Sequence, residues 1–192
     1  EVCAWLEKNA GQFDVVIVPD FGNGFISTNM AKKLCDKARF LAINTQVNSG
    51  NRGYHSINRY SRADFVSLNG PEIRMATHNR HDSYECLAKS LIKKIGVKHF
   101  AVTLGSDGAL LLDQSPEITH KTPILSTKVL DRIGAGDTFL SLAGLCLGGG
   151  LPSDIALFVG SAAAALDVQV VCNREPVTPV NLYKYINTLL KS

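Results

Sequence analysis

The stretch DRIGAGDTF, residues 131–139, joins a polar connection to an apolar run and decides how this chain is read. Gly134 and Gly136 let the backbone turn tightly and aim successive N–H groups into one concavity. If a helix opens there, its free N–H groups and its dipole add to an anion site. Asp137 then has two readings. One is a helix N-cap, worth about 1 kcal/mol. The other is a general base that takes a hydroxyl proton while neighbouring amides hold a transferred phosphoryl group. A G-x-G turn alone does not choose between them.

Outward from this stretch, strand-like and helix-like segments alternate. DVVIV (14–18), RFLAIN (39–44), DFVSLN (64–69), HFAVTLG (99–105) and GALLLD (108–113) read as strands. STNMAKKLCDKA (27–38) reads as a helix with Ser27 or Thr28 as cap, and SYECLAKSLIKKIG (83–96) as one stopped by Gly96. Three more helices are expected: from about Thr138 to Leu147, after Pro152, and over PVNLYKYINTLL. Residues 1–12 read as a helix leading into the first strand. Apolar strands without strict alternation predict an α/β fold, a mostly parallel sheet with helices on both faces. The longest irregular stretch, residues 45–61, is polar and reads either as a functional loop or as a surface loop.

The chain has 192 residues, enough for one sizeable core, so residues 1–192 are expected to be a single unit. A net charge of +3 with scattered basic residues gives no reason to expect a nucleic-acid partner. Five separated cysteines without metal-ligand spacing imply free thiols and a cytoplasmic setting. No signal peptide or membrane span is recognised, so no membrane partner is expected.

DRIGAGDTF resembles the second signature of the ribokinase-like (PfkB) carbohydrate kinases, D-T-x-G-A-G-D-x-F, with Arg132 in place of the common threonine. TLGSDG (103–108) resembles the family's T-L-G-x-x-G strand-turn-strand, and Asn69 with Glu72 matches its N-x-x-E element. The order of the three is also the family's. This resemblance implies a ribokinase-like fold and ATP-dependent phosphorylation of a sugar or sugar-phosphate hydroxyl. Asp137 would be the base, and the amides of Gly134, Ala135 and Gly136 part of the anion hole. Thr103, Gly105, Ser106 and Gly108 would line ATP. Glu72 and Asn69 would manage Mg2+ and phosphate, a sensible role for one carboxylate acting largely through water. Ser161 falls near the nucleotide position of several relatives, although its alanine-rich segment reads equally as close packing. Asp131 would lie near the monovalent-cation (K+) site of potassium-activated relatives, or simply cap a turn.

Asp20 and Gly24 match the DYxKG strand end of a subgroup that includes heptose-phosphate kinase, but Asn23 stands where lysine is common. Residues 44–60, NTQVNSGNRGYHSINRY, replace a shorter DPK-type segment, and their Asn, Gln and Arg groups are candidates for hydrogen bonds to a sugar or its phosphate. The family's early glycine-glycine signature and β lid are not recognisable here. The chain is therefore expected to be a nucleotide-side portion, inactive when isolated, that either forms a homodimer or lacks an N-terminal segment. The competing readings are a non-catalytic nucleotide-binding module and, less favoured, a dinucleotide-binding oxidoreductase. The latter lacks a βαβ unit with a ribose-binding acid after the glycine turn.

Overall fold

The computed structural model describes residues 1–115, 117–171 and 174–191. Among them runs one six-stranded sheet in the order of the chain: β1 (Val16–Asp20), β2 (Leu41–Thr45), β3 (Phe65–Asn69), β4 (His99–Thr103), β5 (Ala109–Asp113) and β6 (Thr119–Thr122). The first four are parallel, whereas β5 and β6 pair antiparallel. The sheet is accompanied by helices α1 (Val2–Asn9), α2 (Thr28–Lys37), α3 (Gly70–Thr77), α4 (Tyr84–Ile95), α5 (Ala135–Gly148), α6 (Ser153–Asp167) and α7 (Pro179–Leu189), with short 3-10 turns at Ala10–Gln12, Ile57–Arg59 and Gly105–Asp107.

Side chains of the strands divide between two cores as the pleat requires. Leu41, Ile43, Val66, Leu68, Phe100 and Val102 join Leu34, Ile73, Leu87 and Leu91 of α2, α3 and α4. Ala42, Phe65, Ala101, Ala109 and Leu111 face Phe139, Leu140 and Ala143 of α5 and Leu157 of α6. Both faces are thus covered, which is why these strands read as continuous apolar runs. The second face is rich in alanine, so α5 lies close to it. A Cβ on Gly144 would come within 3.0 Å of the Ala42 methyl.

The N-terminal edge of the sheet is tied by Asp64, 1% exposed. Its carboxylate accepts from the Leu41 N–H at 2.9 Å and pairs with Lys98 at 2.9 Å and with Arg62. Its backbone N–H donates to the Leu41 carbonyl and its carbonyl accepts from His99, so three strands start in register.

The expected strands and helices are present, with differences that have physical causes. Strand β1 runs on through Pro19 to Asp20, since it pairs only with β2 and proline is tolerated on an edge. Residues 119–122, read as polar connection, form β6, and Asn69-Gly70-Pro71 opens α3 with proline at the start of the helix. The Asp137 N-cap reading is corrected: Gly134 is the N-cap residue of α5, and Asp137 stands one turn inside, at its third position. Cys3, Cys35, Cys86 and Cys146 are free thiols, while Cys172 lies outside the described residues. No described helix is long and apolar enough to cross a membrane.

Candidate active site

The parallel strands deliver their C-terminal ends to one edge of the sheet, where the registers set Asp20 beside Thr45 and Asn69 beside Thr103. Open α/β sheets bind their ligands at this edge. Four helices have side-chain caps: Ser27 on α2, Asn69 on α3, Ser83 on α4 and Thr178 on α7. Helices α1, α5 and α6 have none, and among these α5 starts at a glycine, Gly134, which adopts the left-handed conformation at φ 91°. The first intrahelical donor is the Thr138 N–H, to the Gly134 carbonyl at 2.9 Å. The N–H groups of Ala135, Gly136 and Asp137 precede it and lack intrahelical acceptors, which makes this turn suited to an anion.

Asp137 stands on that turn, half-buried. Its Oδ1 accepts two hydrogen bonds, from Asn44 Nδ2 at 3.0 Å and from Gln46 Nε2 at 2.8 Å. Both amides come from the end of β2, more than ninety residues earlier in the chain.

Asn69 and Glu72 form a reciprocal capping box on α3. The Glu72 N–H donates to Asn69 Oδ1 at 2.9 Å, and the Asn69 N–H donates to Glu72 Oε2 at 2.8 Å. Burial pushes the Glu72 carboxyl above its ordinary value; the Asn69 and Val47 N–H groups oppose this, and the charge of Asp137 adds to it. The two side chains that match the N-x-x-E element thus cap the helix that follows β3.

A third acid, Asp167, was not singled out from the sequence. It closes α6, 4% exposed, and its Oδ2 has no hydrogen-bond partner among the described residues. Burial holds its carboxyl above the ordinary range; the Thr138 hydroxyl lowers it, and the charges of Asp137 and Asp131 raise it. The one signal in the sequence was its place: an acid at the C-terminal end of a helix opposes the dipole. Asp131 accepts from the Ile133 N–H at 3.0 Å in a local turn. The Leu130 and Asp131 N–H groups share the Val168 carbonyl, joining this turn to the end of α6.

TLGSDG is the expected strand-turn-strand. Thr103 ends β4, Gly105–Asp107 form a short 3-10 turn, and Gly108 leads into β5 at φ 80°. Ser106 is exposed and bonds Asp107 at 3.3 Å. Ser161 differs in setting: its hydroxyl is enclosed within the fold, without a partner among the described residues.

At the end of β1, Asp20 is 2% exposed and gathers residues of the long loop. Its Oδ2 accepts from Tyr60 at 2.7 Å and from Arg59 at 3.0 Å, and its Oδ1 accepts from the Gly22 N–H at 3.1 Å. Arg59 also reaches the Ile26 carbonyl. Asn51 donates to the carbonyls of Phe21 and Gln46 at 3.2 and 3.1 Å. Asn23 accepts from the Phe25 N–H in an exposed turn that includes Gly24. Arg59 and Asn51, candidates for sugar contacts, are thus engaged in holding the loop.

The profile described as pfkB family carbohydrate kinase matches residues 24–179. Among curated proteins, the bifunctional protein HldE of Magnetococcus marinus is 32% identical over 157 residues, covering 80% of this chain and 31% of that protein. HldE of Pelobacter propionicus is 26% identical over 189 residues, covering 94% and 38%. The chain spans about a third of the length of these relatives. Ribokinase from Thermotoga maritima superposes with a TM-score of 0.77 at 18% identity, over 94% of this chain and 59% of that one. Phosphofructokinase-2 from Escherichia coli in complex with potassium gives 0.78 at 14%, over 98% and 62%. Both likenesses establish the ribokinase-like fold. With the glycine turn, the capping box and the strand-turn-strand in the expected order, the profile match makes this chain a member of the pfkB family of carbohydrate kinases.

Proposed function

We propose that this chain is the nucleotide side of a kinase that transfers the terminal phosphoryl group of ATP to a hydroxyl of a sugar or sugar phosphate. The uncapped first turn of α5, with the Asp137 carboxylate on it, carries the reading. Donors at that turn suit the charge on a transferring phosphoryl group, and in this reading the Asp137 carboxylate takes the hydroxyl proton. Thr103, Gly105, Ser106 and Gly108 present backbone beside that edge for the nucleotide.

The acids fit cations in character. Glu72 and Asp167 are buried carboxylates disfavoured by burial and by the charge of Asp137, a cost that a nearby cation relieves. No group of three or more metal-binding side chains is assembled among the described residues. Mg2+, which is held largely by water and nucleotide phosphates, would have Glu72 and Asn69 at its outer shell. When bound, Mg2+ would neutralise phosphate charge. Asp131 and the Val168 carbonyl are the corresponding candidates for K+.

The test is ATP-dependent phosphorylation by the full-length protein across neutral and phosphorylated sugars, with and without Asp137→Asn. The expected outcome is turnover on one acceptor and a loss of at least about a hundredfold in kcat for the variant. Near-normal turnover in Asp137→Asn would remove the base. ATP binding without turnover on any sugar would replace the kinase with a non-catalytic nucleotide-binding module.

A further inference from the structure

We propose that Asn44 and Gln46 are positioning residues for phosphoryl transfer, pinning one oxygen of Asp137 so that the other is presented to the acceptor hydroxyl. This rests on the reading of Asp137 as the base. Both amides donate to Oδ1, so Oδ2 carries neither bond. Two donors from different backbone positions fix the plane of the carboxylate, which a single bond would leave free to swing. A base contributes fully only when held in line with the proton it removes.

Asn44 is only 5% exposed, and its own Oδ1 has no partner among the described residues. Turning the amide over would set that carbonyl against the Asp137 carboxylate, so charge fixes its orientation. A buried amide that leaves its carbonyl unpaired in order to donate to a carboxylate breaks a general rule of interiors, and such exceptions gather at functional sites.

Gln46 is held independently. Its N–H donates to the Asp20 carbonyl at 2.9 Å, and its carbonyl accepts from Asn51 at 3.1 Å. Asn51 also bonds the 20–22 turn, and the N–H of Val47, the residue after Gln46, opposes the effect of burial on the Glu72 carboxyl. Residues 44 and 46 therefore hold Asp137 directly, and the long loop behind them acts as a brace. Reach to the sugar is not needed to explain its polar residues.

The test uses the full-length protein and the acceptor on which it turns over, comparing Gln46→Met, Gln46→Glu and Asp137→Asn. Gln46→Met removes the donor at equal size, and Gln46→Glu turns a carboxylate against Asp137. Expected are a fall in kcat of about tenfold for Met and a larger one for Glu, with KM for ATP within about twofold of wild type. Melting temperatures should stay within about 2 °C of wild type. In the Asp137→Asn background, Gln46→Met should cost nothing further. If Asp137→Asn is inactive while both Gln46 variants keep kcat within twofold, the positioning role is wrong and the base stands. Full turnover in Asp137→Asn removes the base and this proposal with it. A loss that persists without the Asp137 carboxylate, or failure of both Gln46 variants to fold, would make Gln46 a structural residue and overturn the proposal.

Discussion

Replacing Gly108 by alanine should be among the most damaging single-methyl changes in this fold. Residue 108 sits at φ 80° and ψ −137°, a region almost reserved for glycine, and strain there costs about 1–3 kcal/mol. The added Cβ would also fall 2.0 Å from the Thr122 carbonyl oxygen and 2.7 and 2.9 Å from Pro123 backbone atoms. Backbone cannot swing away as a side chain would, so β6 must be displaced, at about 1–3 kcal/mol more. The sum, about 2–6 kcal/mol, is a large part of a typical domain's stability and corresponds to roughly 10 °C in Tm. The assay is thermal melting followed by circular dichroism, with Gly105→Ala as the control. Gly105 also has positive φ, 62°, but open space around its missing Cβ, so only about 1–2 kcal/mol should be lost there. A Gly108→Ala melt within about 2 °C of wild type, or no lower than that of Gly105→Ala, would refute the steric reasoning.

Other perturbations test other parts of the molecule. Glu72 and Asp167 both have folded-state carboxyls raised above their ordinary values, so the folded state holds protons that the unfolded state has released. Stability should therefore fall as pH rises from the ordinary carboxylate range toward the folded values. Asp167→Asn should flatten that slope in melts across a pH series, and an unchanged slope would count against it. Asp64→Ala strips the buried Leu41 N–H of its acceptor and leaves Arg62 and Lys98 without their carboxylate. Because both cations are partly exposed, about 2–3 kcal/mol is expected by urea denaturation. Asp20→Ala releases Arg59 and Tyr60, and amides of residues 46–60 should exchange faster with solvent than those of β3 and β4.

Most strands and helices were legible because each buries a periodic set of side chains. Ser27 or Thr28 and Gly96 mark helix ends by local chemistry, and in the structure Ser27 caps α2 and Gly96 closes α4. Strand β6 escaped notice because THKT is polar and mostly exposed, held by pairing with β5 instead of by burial. Asp137 could be singled out from its immediate neighbours, whereas Asn44 and Gln46 read only as candidates for sugar contacts among the polar residues of their loop. Their meaning depends on a contact across the whole second face of the sheet, and no local pattern records it. Residues 45–61 looked like a ligand loop for the same reason: polar side chains read alike whether they await a substrate or bind their own backbone.

The close seat of α5 on β2 has a consequence for how this protein can vary. Gly144 lies seven residues, about two turns, beyond Asp137, and Ala42 lies two residues before Asn44. The contact between Gly144 and Ala42 and the bond between Asp137 and Asn44 are thus two points along one helix-on-strand seam. Thickening the first point tilts the helix like a shim under one end of a beam, and the displacement is felt at the other. Enlarging position 42 or 144 would therefore cost packing energy and also shift Asp137 against Asn44. A survey that scored variants only by abundance would record the first effect and miss the second.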